Sequence, residues 1–121
     1  FAALPEERIV RVTWHGIATL WCACQGFARL AKLMQAGMKQ GQERLDVMPG
    51  SDLEIGLLFL TASMWFRAGE VPSDGKAYWI NGLPEPLADP PDQNRIDGNH
   101  LFRGALAWIL RHEVAHITLG H

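Results

Sequence analysis

Neither sign of charge dominates this chain of 121 residues, and neither forms a long block. The 11 basic and 13 acidic residues leave a net charge of -2. A nucleic-acid surface needs a basic stripe, so this balance argues against such a partner. Apolar runs are also short. The longest, Leu57 to Phe66, is flanked by Glu54 and Arg67 and falls well below the roughly 20 residues of a membrane span. It reads as a buried helix. Cysteine is scarce. Cys22 and Cys24 lie two apart in a helical pattern, where their side chains would point about 200° apart. That disfavours a disulfide, and no further cysteine exists to complete a CxC metal hook. Free core thiols and no secretory signal lead to the expectation of a cytoplasmic protein. There is no internal repeat and no low-complexity tract.

What the chain does have is an apolar fraction of 48% with 20% charged residues, the balance of an ordinary globular protein. Residues 1–121 are expected to form one α-rich domain. The chain opens on Phe1 without Met and stops at His121, so both ends are expected to be cuts through a longer protein.

The hydrophobic pattern predicts three principal helices. Ile9 to Thr13 is β-branched and reads as a short strand or extended entry. From about His15 a helical stripe runs through Ile17, Trp21, Cys24, Phe27, Ala31 and Met34, with Arg29, Lys32 and Lys39 largely off it. Gly37 and Gly41 weaken its end, and Met48-Pro49-Gly50 marks a break. Ser51 and Glu54 then form a capping box opening a second helix to about Ala68, with Gly69 ending it. Residues 69–94 are rich in Pro, Gly and Asp. Lys76 to Ile80 is the best strand candidate there, before an Asn81-Gly82 turn and Pro84, Pro86, Pro90 and Pro91. It reads equally as an extended edge able to pair with a peptide substrate, or as a surface loop with a packed Trp79. A third helix starts between Asp89 and Asp97, with Asp89 as a candidate N-cap and Pro90 at N1, although Gly98 would delay a regular start.

That last helix ends in His112-Glu113-Val114-Ala115-His116, an HExxH motif. It continues a stripe of Leu101, Ala105, Trp108, His112, His116 and Leu119. Histidines four apart lie about one turn apart on one helix face, so their rings can converge on a single ion. Glu113 sits beside that face, within reach of a water polarised by the ion. This is the signature of a zinc-dependent peptidase: His112 and His116 as Zn2+ ligands, Glu113 as general base, and one coordination position left for water. The bland alternative is a helix whose histidines are merely tolerated near its surface.

A catalytic zinc needs a third protein donor. His121 follows His116 by five residues, about 140° around an uninterrupted helix and off the metal face. It would serve only if Gly120 ended the helix and turned it inwards. The extended pattern HExxHxxGxxH is not matched, because Leu119 stands where that pattern has Gly and the chain ends one residue before its third His. His100 lies about 18 Å back along the helix. His15 and Glu54 are on other elements and are expected to be structural. A donor beyond residue 121 is the expected answer.

The stretch from Ala105 to His121, the aromatic-proline arm at Tyr78-Trp79-Ile80 and Leu83-Pro84-Glu85-Pro86, and Trp14-His15-Gly16 together resemble the Lit-like phage-exclusion peptidases. The resemblance is thin over most of the chain and specific in the motif helix. That helix also fits other cytoplasmic zinc peptidases, such as the ImmA/IrrE type that cleave regulatory proteins. The layout of long helix, second helix, extended arm and motif helix leads to the expectation of a mainly α, zincin-like fold with at most a small β element before the HExxH helix. The Lit resemblance implies an intracellular zinc endopeptidase acting in phage exclusion, with elongation factor Tu as the substrate partner; the charge balance and the short apolar runs lead separately to the expectation of no nucleic-acid and no membrane partner. Two rivals stand beside it. One is a non-catalytic helical interaction domain with a degenerate motif. The other is a structural zinc closed by four protein ligands, against which Glu113 counts.

Overall fold

Thr13 ends the extended entry and starts the first helix. Its backbone is extended, and its hydroxyl accepts the Gly16 N–H at 3.0 Å, capping α1 (Trp14–Lys39). The helix closes at Gly41, whose φ of 71° is the left-handed conformation that glycine adopts freely. There the Gln42 N–H donates to the Gly37 carbonyl at 2.9 Å and the Gly41 N–H to the Met38 carbonyl at 3.1 Å, a Schellman pair. α2 (Asp52–Ala68) opens as the sequence predicts. The Glu54 N–H donates to the Ser51 hydroxyl, while the Glu54 carboxylate accepts from the Gly50 N–H, each at 3.3 Å.

α3 (Gln93–Leu119) begins later than an Asp89 cap would place it. The cap is Asp92, which accepts the Arg95 N–H at 2.8 Å on its side chain and the Ile96 N–H at 3.2 Å on its carbonyl. Gly98 does not delay the helix. It is buried within it, at the point where α3 crosses α1.

This computed structural model describes residues 1–44, 46–68, 79–80, 82–87 and 89–119. Lys76 to Tyr78 and Asn81, from the expected strand and turn, lie outside them, as do Gly69, Gly120 and His121. The described part of that arm packs inwards. Trp79, Ile80 and Leu83 are buried, and the Trp79 indole N–H donates to the Leu83 carbonyl at 3.0 Å. The packed-Trp79 alternative therefore describes these residues.

Ile9 to Arg11 is a strand, β2, and its antiparallel partner β1 (Ala2–Leu4) was not foreseen. Ala2 pairs with Arg11, Ala3 with Val10 and Leu4 with Ile9. The fold is thus mainly α: among the described residues there are three helices and one small hairpin, which packs against α3.

The core lies between α1, α2 and the arm. Trp21 meets Phe59 and Trp79 edge-on, with ring centroids 5.5 and 5.6 Å apart, and Phe66 meets Trp79 at 5.1 Å. Such pairs add about 0.5–1.5 kcal/mol each to the burial of their area. Cys22 and Cys24 are free and buried as expected, and burial pushes the Cys22 thiol up to about 12.

The α1 stripe needs correcting. Phe27 and Met34 are 59% and 57% exposed, whereas Arg29 is buried. Because α1 packs against both α2 and α3, its buried arc runs through Ala18, Trp21, Cys22, Gln25 and Arg29. The Arg29 guanidinium lies over the Phe59 ring at 5.0 Å and donates to the Gln25 side chain at 3.2 Å. Burial lowers its pKa, and Asp92 and Asp52 act in the opposite direction.

Candidate active site

α3 runs antiparallel to α1 and is fastened to it at one end. Asn99 accepts from the Trp21 indole N–H at 2.9 Å and from the Gln25 carboxamide at 3.0 Å. Gln25 also donates to the Arg95 carbonyl at 3.3 Å. Further out, Lys32 pairs with Asp97 and donates to Asn94 at 3.2 Å. Gly98 permits this approach, since a Cβ there would stand 2.4 Å from the Gln25 carboxamide. A fixed first half thus sets the direction of the second half, which carries the motif.

The stripe of Leu101, Trp108, His112 and Leu119 faces outwards; Trp108 is 68% and Leu119 66% exposed. Sequence periodicity finds a stripe but does not say which side of it meets the protein. The inward face carries Phe102, Ile109 and Glu113 instead, and Glu113 and His116 are half-buried while His112 is exposed. Residues 109 and 113 are one turn apart, so Glu113 continues the inward face.

The two histidines converge. Their Nε2 atoms are 3.0 Å apart, and their rings meet edge to face at 86° with centroids 4.6 Å apart. Two nitrogens bound to a tetrahedral zinc at ordinary bond lengths lie about 3.3 Å apart. The pair is within a few tenths of an ångström of that separation, so in donor type and spacing His112 and His116 fit two positions of such a site. With one Nε2 protonated, the same separation is a hydrogen bond.

Among the described residues no group of three or more His, Cys, Asp and Glu side chains is gathered. His15 is an exposed residue of the first turn of α1, its ring tilted against Phe66 at 6.4 Å. Glu54 is occupied in its cap, and His100 is an exposed residue of α3 before the motif. His121 lies outside the described residues.

Two surfaces flank the motif that periodicity did not reveal. A cleft of about 510 Å³ is lined by residues that include His15, Thr19, Phe66, Arg67 and Ile109, so it opens beside the inward face that Glu113 continues. A shallow apolar patch runs along Leu110, Val114, Ala115 and Leu119. Both need residues far apart in sequence or a knowledge of exposure, and neither leaves a local motif.

The family model for Peptidase U49 matches residues 10–121, a span that takes in all three helices and the motif. The chain belongs to the peptidase U49 family. This is the family of the Lit-like peptidases, which the motif helix and the arm resemble. Comparisons of this U49 chain with curated proteins and with solved structures gave no match. No helix among its described residues is long and apolar enough to cross a membrane.

Proposed function

We propose that this chain is a zinc-dependent endopeptidase that cleaves an intracellular protein, with His112 and His116 as ligands and Glu113 as general base. The carrying observation is the convergence of the His112 and His116 Nε2 atoms, 3.0 Å apart on the motif helix of a peptidase-family chain. Both imidazoles act as neutral donors through Nε2, which puts the remaining ring proton on Nδ1. Bound zinc supplies a Lewis acid for the scissile carbonyl and a water acidic enough to react near neutral pH. Glu113 is the residue that would accept a proton from the attacking water and pass it to the departing amine. The Lit resemblance makes elongation factor Tu the first substrate to try and phage exclusion the first biological setting.

The test starts with zinc per chain, measured on the full-length protein purified without chelator, and adds two variants. Glu113→Gln is expected to keep zinc and lose at least about 100-fold in cleavage of elongation factor Tu. His112→Ala is expected to lose the metal. Unchanged proteolysis in Glu113→Gln protein would overturn the mechanism. The rival reading, an interaction domain with a degenerate motif, draws on the exposed apolar patch of α3. Zinc near zero in folded, zinc-supplied protein would favour it.

A further inference from the structure

Trp108 contributes nothing visible to the core. It is 68% exposed, and among the described residues its one ring partner is His112. That contact is well defined: the rings are 9° from parallel with centroids 5.5 Å apart. The spacing explains how it arises, because residues four apart on a helix stand above one another on one face.

We infer that Trp108 is a positioning residue for His112, setting the plane of its imidazole so that Nε2 points toward His116. The inference rests on the zinc-site reading above. His112 needs such help more than His116 does. It is the exposed member of the pair, while His116 is half-buried. The torsion that turns a histidine ring is broad and roughly two-fold, so an exposed imidazole samples many planes. A flat indole against one ring face selects a single plane. Stacking uses the π face of the imidazole, whereas a ligand uses the in-plane lone pair, so the two contacts do not compete. With the plane so chosen, the His112 ring meets His116 at 86° and the two Nε2 atoms converge. Trp108, His112 and His116 thus form a ladder of three rings at successive four-residue steps, in which only the last two are donors.

The experiment compares zinc affinity, by competition with a chromophoric chelator, in full-length wild-type, Trp108→Leu and Trp108→Phe proteins. Leu keeps apolar bulk and removes the flat face, while Phe keeps the face. Trp108→Leu is expected to weaken zinc about three- to tenfold, and Trp108→Phe to stay within about twofold. The visible absorption of the cobalt-substituted protein should shift in Trp108→Leu only. The melting temperature of the metal-free protein should not move, since the side chain lies outside the core. If wild type binds zinc and Trp108→Leu binds it equally well with an unchanged cobalt spectrum, the positioning role falls and the zinc site stands. A fall in melting temperature that matches the loss of affinity would assign Trp108 to the fold and overturn the inference. If wild type binds no zinc, the site reading itself falls and takes this inference with it.

Discussion

The two halves of α3 are built on opposite terms. From Gln93 to Phe102 the helix is tied down, with Asn99 shared between Trp21 and Gln25, Gly98 pressed against Gln25, and Asp97 paired with Lys32. From Arg103 to Leu119 it shows Trp108, Val114 and Leu119 to the outside and carries the motif. The polar ties between α3 and α1 therefore lie in one half and the proposed chemistry in the other. Damage to the first should lower folding free energy, whereas damage to the second should alter metal and activity with little cost to the fold.

The two glycines of the helix put this contrast to its strongest test. Gly98→Ala forces a methyl into the Gln25 carboxamide, which is fully buried and held by Asn99 and the Arg95 carbonyl. Displacing it should destabilise the protein by about 2–3 kcal/mol in urea unfolding. Next, Asn99→Ala removes the acceptor of the Trp21 indole N–H and one acceptor of Gln25, for a loss of about 1–2 kcal/mol. Gly104→Ala should go the other way. A Cβ there meets nothing within 4 Å, so better helix propensity should stabilise by about 0.5–1 kcal/mol. Equal losses at positions 98 and 104 would erase the distinction between the halves.

The smallest effect is expected at Asp97. Lys32, and then Gln93, hold its carboxyl below the ordinary value of 3.8. A depressed carboxylate stabilises the fold above its unfolded pKa and loses that contribution as pH falls through the folded one. Asp97→Asn protein should be slightly less stable than wild type at pH 7, and the two should converge as the pH falls below 3.8. The urea midpoints of both proteins across that range check it.

Much of this was legible in the chain because it is local. The Ser51 and Glu54 capping box, the end of α1 near Gly41 and the HExxH spacing all depend on residues a few positions apart. Pairing is less local. Ile9 to Thr13 reads as a short strand or an extended entry, but the partner Ala2–Leu4 lacks the β-branched residues that announce a strand. Facing is harder still. Phe27 and Met34 share a periodic stripe with Trp21, yet α1 has two neighbours, and the arc between them takes in Arg29 while leaving both of those residues outside. The same ambiguity hid the outward direction of Leu101 and Trp108. In the site, the pairing of His112 with His116 follows from spacing alone, whereas the cleft beside Ile109 requires α1, α2 and α3 to be assembled.

The anchorage of α3 also bears on how this chain can vary. His112 lies thirteen positions along the helix from Asn99, so the regular winding of the helix relates the fastened end to the motif. Exchanging one side chain for another leaves the winding intact. Adding or removing a single residue would turn both histidines by about 100° around the axis while Asn99 stayed in place. Between those two points the helix works as a phase-keeping rod, strict above all about its length.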